Sequence, residues 1–132
     1  MAHLRPPKTL LFNGYTYTVD VVDGTRVHDD SGLVGKVDID TQKITLASGI
    51  GPIGLAETLL HEILHVCYYD GNLRLTVPNN TDETEEIIVN AIARTAFGYL
   101  ISNPELLEYF LAVAKSSKQR QPGKPKRPVR SR

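Results

Sequence analysis

The sequence predicts an α+β domain, a small antiparallel β-sheet followed by about three helices, and three observations carry that expectation. Before residue 50, β-branched and aromatic residues alternate with polar ones on either side of two turn signals. From Leu55 onward the apolar residues recur every three or four positions instead. At 132 residues the chain is long enough for one core and short for two.

The elements follow in order. "TLLFNGYTYTVDVV" places strand-forming residues around Asn13-Gly14, a pair that suits a two-residue hairpin turn because both positions tolerate positive φ. "DGTRVHDDSG" is loop-like, and "LVGKVDIDTQKITLA" alternates around a polar "DTQK" turn, giving a second hairpin with strands near 33–39 and 43–47. "SGIGPIG" breaks the pattern. A helix over about 54–70 is then expected from Leu55, Leu59, Leu60, Ile63, Leu64 and Tyr68, stopping near Asp70-Gly71-Asn72. The Asn, Thr and acidic residues of "PNNTDETEE" suit the start of a second helix, about 82–102, with Ile88, Ile92, Ala96, Tyr99 and Leu100 as its expected buried face. Asn103-Pro104 starts a third helix through "ELLEYFLAVA".

Composition narrows the class further. The chain is 41% hydrophobic and 23% charged, ordinary for a soluble globular protein. No apolar run approaches the roughly 20 residues of a membrane span. The N-terminus lacks a long apolar segment with a small-residue cleavage site, and the single Cys67 cannot form an internal disulfide, so a reducing cytoplasm is expected. Cys67 itself is expected to be a buried small hydrophobe, and Tyr68 and Tyr69 core and rim packing.

A net charge of zero hides a division. Residues 115–132 hold eight basic residues and no acidic one, whereas residues 1–114 hold seven basic and all 15 acidic residues, a net of −8. The expected organisation is therefore a folded domain over 1–114 and a basic tail over 115–132. That tail is rich in Pro, Ser, Lys and Arg, and disorder is expected from about Ser116. It could engage nucleic acid or the acidic surface of a partner, or serve only as a solubilising end.

Function is concentrated in "LLHEILHVC". In a helix, residues four apart share a face, so His61 and His65 can both direct imidazole nitrogens at one metal ion. Glu62 sits about 100 degrees round from His61, where it would flank the ion and reach a water as general base. The competing reading is an amphipathic helix that carries two histidines by chance. The apolar surroundings of the pair argue against it, because two unpaired histidines in a largely buried helix would be costly. His3 and His28 are read as exposed histidines without a special role.

A catalytic zinc keeps three protein ligands and leaves one position for water. The acidic start of the second helix offers Asp82, Glu83, Glu85 and Glu86. Glu86 is the preferred third ligand because it shares a stripe with Asn90, Ala93 and Phe97 at the edge of the expected Ile88/Ile92 face, whereas Asp82 and Glu83 fall in the capping turn; Glu85 is the alternative, and Asn90 is placed to hydrogen-bond a ligand side chain.

The strand pair, "TLLHEILHVC" and "EEIIVNAIARTAFGYLISNPELL" together resemble minimal zincin-like metallopeptidases of phage and prophage genomes, related to the IrrE/ImmA type and more distantly to SprT-like proteins. The resemblance covers roughly residues 33–111 and is most specific at His61-Glu62-Ile63-Leu64-His65 and the Glu86 to Asn90 spacing. It implies one zinc held by His61, His65 and Glu86, Glu62 as general base, and helices packed on a small sheet in a zincin-like core. A peptide or protein substrate inside a bacterial cell is implied as well. The region "LVGKVDIDTQKITLA", above all residues 42–47, is similar to the edge-strand hairpin that precedes the helix in such proteins, on which an extended peptide could add as another strand. The alternative function is a non-catalytic, zinc-stabilised binding module whose basic tail engages nucleic acid or a phage or host protein.

Overall fold

The computed structural model describes residues 4–24 and 34–120; His3, His28 and the basic stretch 121–132 lie outside them. The elements are β1 (Thr9–Phe12), β2 (Tyr15–Val22), β3 (Gly35–Asp38), β4 (Lys43–Ala47), α1 (Gly51–Asp70), a one-turn α2 (Leu73–Thr76), α3 (Asp82–Ile101) and α4 (Pro104–Arg120). The fold is α+β with a small four-stranded mixed sheet and four helices among the described residues. By its contacts the chain divides into two compact units, Met1–Phe97 and Gly98–Arg132.

Both expected hairpins form. Asn13 (φ 52) and Gly14 (φ 86) occupy the left-handed region that a tight β1–β2 turn requires. The β3–β4 turn is held by the Asp38 carboxylate, whose Oδ1 accepts from the backbone N–H of Asp40 at 3.0 Å and Thr41 at 3.2 Å.

The sheet departs from the antiparallel expectation. Its order is β1-β2-β4-β3, and β2 pairs with β4 in parallel, Val19 opposite Ile44 and Val22 opposite Ala47. Hairpin signals report only local antiparallel pairs and are silent on how two hairpins join. The consequence for the site is that β4 is internal and β3, like β1, is an edge strand among the described residues, so within that hairpin the edge is 35–38 and not 43–47. All four residues of "ITLA", the polar Thr45 included, are buried, as expected of a strand covered on both faces.

Tyr17, Val19, Ile44, Leu46 and Val66 form the core, with Leu10, Phe12, Val37, Leu55 and Leu59 packed against it. Tyr17 and Val19 obey the two-residue period of β2, and Val66 brings α1 onto the sheet. The helix lies against β3 and β4. It begins at Gly51, three residues earlier than expected, because Pro52 can occupy the first turn where no backbone N–H is needed. Cys67 is exposed instead of buried, lying about 100 degrees round the helix from the packed Val66. Tyr68 is buried and Tyr69 exposed.

In α3 the buried residues are Val89, Ala93 and Phe97. Ile92 and Tyr99, expected inside, are exposed. The true stripe lies one residue C-terminal to the one that hydrophobicity selected. Thr81 caps the helix, its Oγ1 accepting from Thr84 N–H at 3.1 Å, with Asp82, Glu83 and Glu85 in the first turn.

In the second unit, Asn103 links the end of α3 to α4, its Nδ2 donating to Tyr99 O at 2.8 Å. The last helix continues to Arg120, so residues 116–120 are helical where disorder was expected. "KSSKQR" contains neither Pro nor Gly to interrupt the helix. No helix among the described residues is long and apolar enough to cross a membrane.

Candidate metal centre

Helices α1 and α3 bring three electron-pair donors to one point. His61 Nε2 and His65 Nε2 are 3.2 Å apart. Glu86 reaches across from α3, with Oε1 3.0 Å from His61 Nε2 and Oε2 3.2 Å from His65 Nε2. The i, i+4 spacing stacks the two rings edge to face, with centroids 4.9 Å apart. These three residues form a group whose ligand atoms all lie within 4.8 Å of one another.

The spacing is informative. Two donors bound at about 2.0–2.1 Å to a tetrahedral ion stand about 3.3 Å apart. The His61–His65 separation of 3.2 Å is close to that edge, and each Glu86 oxygen lies within 3.2 Å of one of the two nitrogens. Electrostatics agree with a cation site: burial lowers the His61 pKa despite the opposing pull of Glu86, favouring the neutral imidazole that a metal requires.

Glu62 lies beside this group and is 4% exposed. It makes no hydrogen bond or ion pair among the described residues. Burial raises its pKa from 4.5 to about 7, opposed by His65 and assisted by the negative charge of Glu86. The edge strand passes directly over it. A Cβ placed on Gly35 would lie 3.1 Å from Glu62 Oε2 and 2.5 Å from Thr58 Cγ2, so only glycine lets β3 approach α1 this closely.

The group opens into a cleft of about 1490 Å³ between β3 and the helices α1 and α3. Lys36 and Val37 line one wall, the histidines and Glu62 the floor, and Asn90 and Arg94 the far side.

Every residue singled out by sequence for the metal is thus present at one locus: His61, His65, Glu86 and, adjacent, Glu62. Glu85, the alternative ligand, is on the other side of His65, its Oε2 2.7 Å from Nδ1. Asn90 lines the cleft without hydrogen-bonding either histidine; the side chain from α3 at His65 Nδ1 is Glu85. Sequence reasoning missed Gly35 and Arg74. Arg74 Nη2 donates to Glu85 Oε1 at 2.8 Å and to Asp82 Oδ1 at 2.6 Å. Its signal was available, because Arg74 is the one basic residue between Lys43 and Arg94 and stands just before an acidic run.

Compared with known proteins, the chain matches no family model, no curated protein and no solved structure.

Proposed function

We propose that the protein is a zinc-dependent metallopeptidase with a zincin-like core, in which His61, His65 and Glu86 hold the metal and Glu62 is the general base. The observation that supports this most is the convergence of His61 Nε2, His65 Nε2 and the Glu86 carboxylate, whose two oxygens lie 3.0 Å from the first and 3.2 Å from the second, beside a buried carboxylate with no hydrogen bond or ion pair among the described residues. A bound zinc supplies Lewis acidity, polarising a carbonyl and bringing the pKa of water to about 7. The chain's own groups do the rest. Glu62, held without a competing hydrogen bond, takes a proton from the attacking water and returns it to the departing amine. The edge of β3 that is unpaired among the described residues would offer backbone groups to an extended peptide, and Gly35 sets that strand in contact with Glu62, so a peptide added there passes over the base.

A second reading has its own support. The ligand set joins α1 to α3, so the metal would staple two helices whether or not anything is hydrolysed. One experiment separates the two: metal content of purified wild type and Glu86→Ala, followed by cleavage of a mixed peptide library by wild type and Glu62→Gln. About one zinc per chain, weakened in folded Glu86→Ala, with cleavage lost in Glu62→Gln, is the expected result. A zinc-loaded wild type that unfolds on chelation and cleaves nothing establishes the staple. Absence of zinc uptake ends both readings.

A further inference from the structure

We infer that Glu85 and Arg74 are positioning residues that fix the tautomer of His65 and so aim its Nε2 lone pair into the site. The functional consequence rests on the metal reading above, while the relay itself is a matter of protein geometry. Glu85 Oε2 is 2.7 Å from His65 Nδ1. An ionised carboxylate can only accept, so Nδ1 carries the proton and donates it. In the neutral ring Nε2 is then the lone pair, and Nε2 is the atom that faces His61 and Glu86. The opposite tautomer would set two lone pairs against each other at 2.7 Å at Nδ1, a closer opposition than the 3.2 Å between Nε2 and Glu86 Oε2, and would present an N–H where a cation belongs.

Distance also decides Glu85's role. A separation of 2.7 Å is the length of a charge-assisted hydrogen bond and well inside the roughly 3.3 Å expected between two ligands of one tetrahedral ion. Its second oxygen is occupied by Arg74, so both ends of the carboxylate are held and it cannot swing round to join the metal.

Arg74 anchors the relay from outside the site. It lies on the one-turn helix α2, and that helix is fixed at both ends. Asn72 takes the left-handed conformation (φ 59) that ends α1, and its carbonyl accepts from Thr76 Oγ1 at 3.1 Å. Asn80, beyond α2, donates from Nδ2 to the buried Tyr68 hydroxyl and to Leu73 O. By also bonding Asp82, Arg74 pins α2 to the first turn of α3, the turn that carries Glu85. The connection between α1 and α3 is therefore built to hold a ligand's partner in place, as carboxylate–histidine–metal arrangements require.

The test uses the full-length ¹⁵N-labelled protein, wild type and the variants Glu85→Gln, Glu86→Gln, Arg74→Ala and Arg74→Lys, with circular dichroism to establish folding. Long-range ¹H–¹⁵N spectra of the chelated proteins above neutral pH read the His65 tautomer, and competition titration with zinc reads affinity. The expected wild-type spectrum has the proton on Nδ1. Glu85→Gln is expected to mix the tautomers and weaken zinc about 10–100-fold at unchanged stoichiometry. Arg74→Ala should weaken it less, and Arg74→Lys should restore part of the loss, since a lysine supplies the charge without the planar fork. A wild-type proton on Nε2, or a Glu85→Gln with wild-type tautomer and affinity, overturns the inference. So does loss of the stoichiometric site in Glu85→Gln with retention in Glu86→Gln, which would make Glu85 the ligand. Should wild type take up no zinc, the metal reading fails while the tautomer still decides the relay. Should Glu85→Gln not fold, the two Arg74 variants decide it, that side chain being 43% exposed.

Discussion

Glu62→Gln should stabilise the metal-free protein at alkaline pH, and the size of the effect follows from burial. Moving the carboxyl pKa from 4.5 to about 7 makes the ionised form roughly 3 kcal/mol less favourable in the folded chain, at about 1.36 kcal/mol per pKa unit. The sign is fixed by proton counting. Between pH 4.5 and 7 the unfolded chain has lost this proton and the folded chain retains it, so stability falls as pH rises through that window and stays low above it. Glutamine does not titrate. The variant should therefore match wild type near the lower end of the window and exceed it above pH 7 by about 2–3 kcal/mol, less whatever its amide loses in hydrogen bonding. The His61 pKa, lowered by burial, acts in the opposite direction, because the unfolded histidine holds its proton longer. That contribution is common to both proteins and cancels in their difference. Urea unfolding of both in excess chelator, at pH 5 and pH 8, measures the quantity. A stability difference that is the same at the two pH values would refute the assignment of Glu62 as a buried, charge-averse acid. With zinc bound, the variant's alkaline advantage should shrink, since a cation beside the carboxylate favours its ionised form.

Three further outcomes are expected. Gly35→Ala places a methyl 2.5 Å from Thr58 Cγ2 and 3.1 Å from Glu62 Oε2, so it should cost about 1–3 kcal/mol in thermal unfolding, with partial recovery in a Gly35→Ala/Thr58→Ser double variant. An unchanged Tm would mean that β3 does not sit in contact with α1. Val89→Ala, at a site 2% exposed, should lose about 2 kcal/mol, whereas Ile92→Ala, 50% exposed, should lose about 0.5 kcal/mol or less; the reverse order would restore the hydrophobic phase of α3. Zinc at 100-fold over its dissociation constant should add about 2.7 kcal/mol, roughly 10 °C in Tm for a domain of this size, and Glu86→Ala should abolish most of that shift in calorimetry.

What was legible from sequence divides along a physical line. Patterns local in the chain were readable: Asn13-Gly14 gave the first turn, "DTQK" the second, and the spacing of Leu55 to Tyr68 gave α1 to within a few residues. The three donors were readable too, because i, i+4 geometry fixes His61 against His65 and helical phase favours Glu86 over Asp82 and Glu83. Joins between distant segments were not. The parallel pairing of β2 with β4 depends on how two hairpins dock, which no turn signal encodes. Arg74 was missed for the same reason: its partners are 8 and 11 residues away, across a connection whose course the sequence does not specify. The exposed Cys67 and the helical 116–120 show composition being outweighed by the helix each residue belongs to.

The misjudged face of α3 carries a different lesson, because there the local pattern was strong and still lost. Burying Ile88 and Ile92 would remove more apolar surface than burying Val89 and Ala93, so hydrophobicity alone favours the wrong stripe. Successive residues are separated by about 100 degrees around a helix, so bringing that stripe inward would swing the whole acidic turn sideways. Glu86 would then leave the histidines, and Glu85 would leave His65 Nδ1 and Arg74. The observed rotation keeps contacts of 2.7–3.2 Å at four of those pairs and leaves an isoleucine half exposed. The orientation of α3 thus follows the polar cluster between the helices more closely than it follows the apolar moment, which is the expected outcome where a site and a core compete for one helix face.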